Sequence, residues 1–404
     1  MLRVVIAPDS FKGSLAAREV AGALARGILR AIPDADVRVR PMADGGEGTL
    51  DAVLAAVGSR GVRRTLSVRG AAGHSVAAQY GVLDPDGDAT AVIEAAQVVS
   101  ITDPQGMAID ITGRSTEGVG ELIVALLDHG VRHFMIGLGG SSTNDAGCGL
   151  LAALGMAMFD ASGARVAPTP AGLATLARVD ATALDARLAQ CALHIMSDVN
   201  NPLCGEMGAT AVFGPQKGTP TAAVASLDAR LAHFANLTEV ALGLSAAALP
   251  GAGAAGGLGF ALLLLGAKFS SGANVVATLI GLPQVVADAD WVITGEGRSD
   301  AQTLLAKAPF VVAQLAAAHA VPVTLISGAI DAAALPSLRK HFAGCFGLPH
   351  GPATLDACIA NAAALLADRA EEVARVFAAG QRQRENGADA VSAHKISIAH
   401  GRQP

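Results

Sequence analysis

Short apolar runs followed by glycine-rich acidic loops recur along this chain of 404 residues and constrain its fold more than any other feature. Residues 3–7 form such a run ahead of Asp9, and residues 290–294 form another ahead of the loop 295–298, Gly-Glu-Gly-Arg. Apolar runs of this length suit strands that are buried on both faces of a parallel sheet. Helical segments rich in alanine and leucine separate the runs, which is typical of a doubly wound α/β fold.

The middle of the chain has a different pattern. Residues 68–79 and 91–94 indicate strands joined by polar turns, and the length exceeds the roughly 100–200 residues of one domain. We therefore predict a Rossmann-like (flavodoxin-like) parallel-sheet domain with a second α/β domain inserted. The predicted boundaries are 1–63 and 284–385 for the discontinuous first domain, 64–283 for the inserted domain and 386–404 for a polar C-terminal tail.

Composition and charge exclude several classes of protein. Hydrophobic residues make up 51% of the chain and charged residues 16%, which excludes an intrinsically disordered protein. The net charge of −6, the absence of a long Lys/Arg run and the single Trp and single Tyr argue against nucleic acid and anionic membranes as partners. A small anionic ligand stays open, because a few local cations or helix N-termini can bind it.

The cysteines and the lengths of the apolar runs predict the cellular compartment of the protein. The five cysteines are odd in number and contain no C-x-x-C pair, which disfavours a disulfide framework or a structural zinc site. The N-terminal apolar stretch is too short for a signal peptide, and the longest apolar run, 260–267, falls short of the roughly 20 residues of a membrane span. We therefore predict a cytoplasmic protein, and a homodimer stays open.

Acidic and basic side chains follow the first two predicted strands. Asp9, Ser10 and Lys12 come after the first strand, and Asp44 and Glu47 come after the second. Ligands of open α/β sheets bind outside the carboxyl ends of strands, so both clusters are expected there. A lysine beside carboxylates suits an anionic ligand with a divalent ion such as Mg²⁺. A helix cap for Asp9 and a solvated position for Glu47 are the alternatives.

The segment 137–149 is the densest in glycine and hydroxyl residues. Gly139, Gly140, Ser141 and Ser142 follow a predicted strand, and Asp145 precedes a predicted helix. Glycine allows backbone amides to approach phosphate oxygens, and hydroxyls add donors. We favour phosphate binding over a loop whose polar residues only cap the helix.

The segment 251–256 satisfies the pattern G-x-G-x-x-G. Pro250 precedes it in place of a convincing strand, and no acidic residue follows about 20 positions later, so a dinucleotide fingerprint is disfavoured. The alternatives are a phosphate cradle that includes Gly253, Gly256 and Gly257, or a turn that allows close packing.

Asp198 stands at the end of a predicted strand with Asn200 and Asn201 behind it. A carboxylate in this position can accept a proton from a hydroxyl, while the amides hold an ion or hydroxyl groups. An Asx-turn ahead of Pro202 is an equally good interpretation.

The loop after residues 290–294 repeats the acidic glycine pattern. Glu296 and Asp300 are candidate ligands of a metal or a hydroxyl, and Arg298 is a candidate phosphate clamp. A capping role for Asp300 is the alternative.

Six of these segments, in this order, resemble the signatures of the glycerate kinase type 1 family, the glycerate 2-kinases. The resemblance spans roughly residues 1–380 and rests on residues 7–13, 42–49, 137–149, 197–202, 251–259 and 294–300. It implies two α/β domains, one inserted in the other, and the transfer of a phosphoryl group from ATP to D-glycerate with Mg²⁺. The implied product is 2-phosphoglycerate, with 3-phosphoglycerate less favoured, formed by in-line transfer in a cleft between the domains.

The resemblance and the residue chemistry together give each candidate residue a role. The predicted catalytic residues are Asp198, Lys12 and Asp44, with Asp198 as the base. The predicted substrate-binding residues are Asp9, Ser10, Glu47, Asn200, Asn201 and Arg298. The predicted nucleotide-binding residues are Gly139, Gly140, Ser141, Ser142, Gly253, Gly256 and Gly257. The predicted metal ligands are Glu296, Asp300 and Asp145.

The chain departs from the family pattern in three segments, which are 299–303, 269–281 and the tail after about residue 386. Two other functions stay open at this point. One is a nicotinamide-dependent hydroxy-acid oxidoreductase built on residues 251–256, and the other is a non-catalytic sugar-acid-binding protein.

Overall fold

The computed structural model describes the backbone of residues 1–305 and 307–400, and the side chains of those residues up to 381. The predicted polar tail, 386–404, therefore lies outside the described side chains. Contacts divide the chain into two compact units. The first unit comprises Met1–Pro41, Leu282–Leu304 and Pro309–Pro404, and the second comprises Met42–Gly281 and Leu305–Ala308.

The strands and helices are numbered along the chain. The strands are β1 (Arg3–Ile6), β2 (Asp36–Val39), β3 (Gly61–Arg69), β4 (Ser75–Leu83), β5 (Thr90–Glu94), β6 (His133–Gly137), β7 (Ala157–Asp160), β8 (Leu176–Asp180), β9 (Ala192–Met196), β10 (Lys268–Ser270), β11 (Trp291–Thr294), β12 (Arg298–Ser299), β13 (Val323–Ser327), β14 (Ala329–Ile330) and β15 (Gly344–Gly347). The α-helices are α1 (Ala17–Ala31), α2 (Thr49–Val57), α3 (Pro104–Ala108), α4 (Glu117–Asp128), α5 (Cys148–Ala153), α6 (Ala209–Phe213), α7 (Val224–Leu242), α8 (Ala254–Leu264), α9 (Gly272–Leu279), α10 (Leu282–Ala287), α11 (Ala308–Ala318), α12 (Leu335–Leu338), α13 (Leu355–Ala360) and α14 (Ala362–His400).

The first unit is built on a five-stranded parallel sheet in the order β15-β13-β11-β1-β2. Val4, Ile6, Trp291 and Ile293 are fully buried, as their continuous apolar runs predict. If only the strands of this sheet are numbered along the chain, their order is 2-1-3-4-5, as in flavodoxin-like sheets. The direction in which successive strands are added reverses between β1 and β11. The predicted fold class is confirmed.

The second unit contains a mixed six-stranded sheet in the order β10-β9-β6-β5-β4-β3. The strands from β10 to β5 are parallel, whereas β4 and β3 form an antiparallel hairpin at the edge. Gly137 at the end of β6 pairs with Glu94 on one side and with Met196 on the other. The carboxyl ends of β5, β6 and β9 are therefore level with one another.

The second unit begins at Met42, whereas its predicted start is residue 64. Helix α2 accounts for the difference, because its first turn is tied to the end of β5. The backbone N–H of Leu50 donates a hydrogen bond of 2.8 Å to Oε1 of the buried Glu94. Among the described residues, no helix is long and apolar enough to cross a membrane.

Candidate active site

In the first unit, the loops after β1 and β11 meet at the point where the strand order reverses. The N–H of Asp9 donates to the carbonyl oxygen of Gly295 over 2.8 Å, and Thr294 Oγ1 donates to the carbonyl oxygen of Ala7. Asp9 is buried, and its Oδ1 accepts a hydrogen bond from the N–H of Ser10. This position is where open α/β sheets bind ligands.

The loop after β11 holds a buried carboxylate and an exposed cation. Glu296 Oε1 accepts hydrogen bonds from Ser299 Oγ at 2.9 Å and from Thr303 Oγ1 at 2.6 Å. Arg298 is exposed and lies 3.7 Å from the Asp331 carboxylate. Asp300 accepts a hydrogen bond from the N–H of Gln302, which is the turn-capping role given above as the alternative.

Lys12 lies beside this loop. A Cβ built on Gly297 would lie 3.3 Å from the backbone nitrogen of Lys12, so the two loops approach closely. The side chain of Lys12 is exposed. The first unit thus brings together Asp9, Ser10 and Lys12 with the Glu296–Arg298 loop.

In the second unit, the loop that carries Asp44 crosses the carboxyl ends of β6 and β9. Gly45 has a φ of +90°, and a Cβ on it would lie 2.5 Å from the carbonyl oxygen of Met196. Only glycine accommodates both the conformation and the contact. The loop places Asp44 near Asp198, whereas Glu47 is exposed just ahead of α2.

Asp198 is half-buried directly after β9. Burial and the negative charge of Asp44 raise the pKa of Asp198 to about 6, against the opposing effects of Ser271, Gly272 and Lys307. Its Oδ1 is buried and has no hydrogen-bond partner in the described part of the chain. Asp198 is therefore a carboxylate with an unused acceptor and a pKa close to neutral.

The two asparagines that follow Asp198 differ in their surroundings. Asn200 is exposed. Asn201 Nδ2 donates to the carbonyl oxygen of Met207 over 2.8 Å, and the Asn201 carbonyl accepts from the N–H of Gly253. Asn201 therefore connects two loops of the second unit.

Asp145 lies inside the second unit and is fully buried. Its carboxylate accepts hydrogen bonds from the N–H and Oγ1 of Thr116, both at 2.8 Å, and from the N–H of Gly147. This arrangement holds the entry to α5, and the role of Asp145 as a metal ligand stays a prediction. Among the described residues, no group of three or more His, Cys, Asp or Glu side chains is placed to hold a metal ion.

The predicted nucleotide-binding glycines on α8 contact the loop 139–147. A Cβ on Gly256 would lie 2.0 Å from the carbonyl oxygen of Thr143, and Gly256 and Gly257 have φ values of +69° and +91°. The N–H of Ala146 donates to the Gly256 carbonyl oxygen. These contacts support close packing as the reason for the glycines. The element that precedes residues 251–256 is helix α7, so the strand of a dinucleotide fingerprint is not in that place.

Several side chains of the second unit surround these loops without a signal in the sequence that predicts it. Ser271 and Gly272 hydrogen-bond Asp198, and Lys307 lowers its pKa. Strand β10, which positions Ser271, is only three residues long and gives too weak a pattern to recognise. Lys217 and Arg114 are buried, although the residue types alone predict exposure.

Carboxylates and glycine-rich loops thus stand at the carboxyl ends of parallel strands, where α/β enzymes bind their ligands. The glycerate kinase family model matches residues 4–378, and the chain belongs to that family. The predictions of the family and of a phosphotransferase are confirmed.

Similar proteins support this assignment over most of the chain. The chain is 40% identical over 378 residues to a glycerate kinase of Halalkalibacterium halodurans, which covers 93% of this chain and 98% of that protein. It is 42% identical over 330 residues to the glycerate 2-kinase of Escherichia coli strain K12, covering 81% and 86%. A crystal structure assigned to glycerate kinase 2 of Salmonella typhimurium LT2 matches with a TM-score of 0.81 and 41% identity, covering 94% and 99%.

Proposed function

We propose that this chain catalyses the ATP-dependent phosphorylation of D-glycerate and releases 2-phosphoglycerate, with 3-phosphoglycerate the less favoured product. Membership of the glycerate kinase family and the name of the Escherichia coli relative, glycerate 2-kinase, support the substrate and the position. The observation that carries the chemistry is Asp198, whose raised pKa and unpartnered Oδ1 suit a group that exchanges a proton.

Asp198 is the proposed base. When a hydroxyl attacks the γ-phosphoryl group of ATP, its oxygen forms the new bond to phosphorus, the bond from that phosphorus to the β–γ bridging oxygen breaks, and ADP leaves with the electron pair of that bond. The proton of the hydroxyl must also leave. The Asp198 carboxylate accepts that proton, and hydrogen bonds from Ser271 and Gly272 hold it in place. A base works best when its pKa lies near the working pH, and a value of about 6 meets this condition.

Asp44 is the proposed ligand of Mg²⁺ in the second unit. The fit rests on charge, because the Asp44 carboxylate raises the pKa of Asp198 and a divalent cation would relieve the repulsion between them. Carboxylate oxygens are also the hard ligands that Mg²⁺ prefers. When bound, the ion would neutralise charge on the phosphate oxygens. Glu296 and Asp300 in the first unit stay predicted metal ligands.

The loop 139–142 is the proposed site of the ATP phosphates. Gly140 is exposed and Gly139 half-buried, so a ligand can reach the backbone there. Gly256 and Gly257 pack against residues 143–146 and support the loop from the protein side. This assigns phosphate contact to Gly139, Gly140 and Ser141, and a supporting role to the glycines of α8.

The glycerate carboxylate is proposed to bind a cation of the first unit. Lys12 and Arg298 are exposed beside the point where the strand order reverses. Arginine binds carboxylates through two parallel hydrogen bonds, whereas lysine acts as a point charge. The roles of Asp9, Ser10, Glu47 and Asn200 in holding the substrate stay predictions, as does transfer in a cleft between the domains.

The test is ADP release by the purified chain in the presence and absence of D-glycerate. We expect release that requires both D-glycerate and Mg²⁺, and phosphorus NMR of the product should show the phosphate on the 2-hydroxyl. A signal from the 3-hydroxyl would change the product but not the reaction. D-glycerate binding without ADP release would instead favour the non-catalytic sugar-acid-binding protein.

A further inference from the structure

Two buried cations lie directly behind the loop 139–142. Lys217 is 3% exposed, and its Nζ donates hydrogen bonds to Ser141 Oγ at 2.9 Å and to the Thr143 carbonyl oxygen at 2.8 Å. Lysine is rarely buried to this degree unless a specific interaction requires it. Both acceptors belong to the glycine-rich segment 137–149.

Arg114 links the lysine to the same segment. It is also 3% exposed, and its Nη1 donates to the carbonyl oxygens of Ser142 at 3.0 Å and Lys217 at 2.9 Å. Further bonds from its guanidinium to the Ile109 carbonyl oxygen fix its position. The backbone of Lys217 and the backbone of the loop are therefore held by one side chain.

Burial opposes the charge of both cations in this cluster: it lowers the pKa of Lys217 to about 7, and it lowers the pKa of Arg114, which has Asp110 as a nearby anion. The charged groups that interact electrostatically with Lys217 are Asp145 and Arg114, one anion and one cation. Asp145 is itself occupied by donors from Thr116 and Gly147. Burying a charge is costly unless an opposite charge compensates it. An anion on the loop 139–142 would favour the charged form of the buried Lys217.

The pattern of backbone hydrogen bonds in the loop 139–142 suits the binding of an anion. The carbonyl oxygens of Gly140, Ser142 and Thr143 all accept hydrogen bonds from the protein, and the N–H of Ser142 donates to Val99. By contrast, within the described residues the N–H groups of Gly139, Gly140 and Ser141 donate to no acceptor. Successive backbone N–H groups without partners form the kind of concavity that binds phosphate.

We propose that Lys217 and Arg114 are positioning residues that make the loop 139–142 a phosphate site, in which the N–H groups of Gly139, Gly140 and Ser141 donate to phosphate oxygens. The cations turn the loop carbonyls towards the protein and supply the positive charge that compensates the ligand. This inference rests on the proposed function insofar as the phosphates belong to ATP. A free polyphosphate shares the same chemistry.

Isothermal titration calorimetry of Lys217→Met with ADP and with inorganic tripolyphosphate tests the proposal. We expect both affinities to fall about tenfold to a hundredfold, as for the loss of a charge-assisted interaction. Lys217→Arg should recover most of the affinity because it keeps the charge. Lys340→Met, which removes an exposed lysine of the first unit, is the control and should bind as the wild type does. Titration with D-glycerate should give the same affinity in all variants.

Hydrogen exchange of the wild-type chain provides the second measurement, in case Lys217→Met does not fold. Bound tripolyphosphate or ADP should slow amide exchange in the peptide 137–144, because the three N–H groups gain acceptors. Unchanged ADP affinity in folded Lys217→Met, or unchanged exchange in this peptide at saturating ADP, would overturn the proposal. If ADP binding depends on Lys217 but the chain releases no ADP in the presence of D-glycerate, the kinase function is rejected and the phosphate site is supported.

Discussion

Each of the two sheets places a hydrogen-bonded carboxylate after the end of a parallel strand, but the oxygens of the two carboxylates are used differently. In the first unit, Glu296 is buried and its Oε1 accepts from the hydroxyls of Ser299 and Thr303. In the second unit, Asp198 has a buried Oδ1 with no donor in the described part of the chain. Topology thus brings acidic groups to strand ends, and the neighbouring donors decide how many oxygens of each group are already used as acceptors.

Asp145 sharpens this comparison because it belongs to the same unit as Asp198. It is more deeply buried than Asp198, yet it is surrounded by donors and takes part in the entry to α5. Burial raises the pKa of both carboxyls. The distinguishing property of Asp198 is therefore the unused acceptor beside a second carboxylate, Asp44, rather than burial alone.

Asp198→Asn should give the largest loss of activity. The amide cannot accept a proton in the same way, and loss of a general base lowers kcat about a hundredfold to ten-thousandfold. We expect the melting temperature to be unchanged or higher, because the charge repulsion with Asp44 disappears. The measurement is D-glycerate-dependent ADP release together with thermal unfolding. Asp128→Asn, at an exposed position of the same unit, is the control. Near-normal turnover by Asp198→Asn would remove Asp198 as the base.

Asp145→Ala should instead destabilise the fold. The change leaves the N–H and Oγ1 of Thr116 and the N–H of Gly147 without their acceptor inside the unit. Buried donors without partners cost about 1–3 kcal/mol each, so we expect a loss of about 3 kcal/mol or more in the free energy of unfolding. Urea denaturation measures it, with Asp128→Ala as the control. Stabilisation of the wild type by Mg²⁺ alone that disappears in Asp145→Ala would instead support the predicted role of Asp145 as a metal ligand.

The pH dependence of kcat/KM distinguishes the pair Asp44 and Asp198 from Glu296. Activity should fall as the pH drops through about 6, because Asp198 becomes protonated and cannot act as a base. Asp44 raises the pKa of Asp198, so Asp44→Asn should move this acidic limb to lower pH, in addition to any loss of Mg²⁺ affinity. The profile is measured at saturating Mg²⁺. An acidic limb that stays in place in Asp44→Asn would show that the two carboxylates are not coupled.

The sequence predicts the regular parts of this structure well. The apolar runs at 3–7 and 290–294 give adjacent strands of one parallel sheet, because strands buried on both faces need continuous apolar residues. The position of the loops after these strands is also predictable, because the carboxyl ends of parallel strands lie at the same edge of a sheet. The start of the second unit is harder to predict, since α2 joins it through the bond from Leu50 to Glu94, which connects distant residues.

The chemical roles are less accessible from the sequence. Asp145 follows a glycine-rich segment, and Asp198 follows a strand. Only tertiary contacts show that Thr116 donates hydrogen bonds to Asp145, and that Asp198 Oδ1 has no donor among the described residues. Lys217 has glycine and proline as near neighbours in the sequence, and nothing local indicates its burial. Residues far apart in the chain supply these environments, and periodicity carries no information about them.

Thr303→Val gives the smallest expected effect and tests the state of Glu296 most directly. It removes the hydroxyl that donates to Glu296 Oε1 over 2.6 Å and keeps nearly the same shape. Loss of one such bond to a carboxylate lowers the free energy of unfolding by about 1.5–3 kcal/mol if Glu296 is an anchor. Thr65→Val, at an exposed position of β3, is the control and should change stability little. Because Glu296 is held by Ser299 as well, we expect kcat to change less than threefold, about 0.6 kcal/mol. A loss of turnover as large as that of Asp198→Asn, without loss of stability, would show that the first unit also carries a proton-exchanging carboxylate.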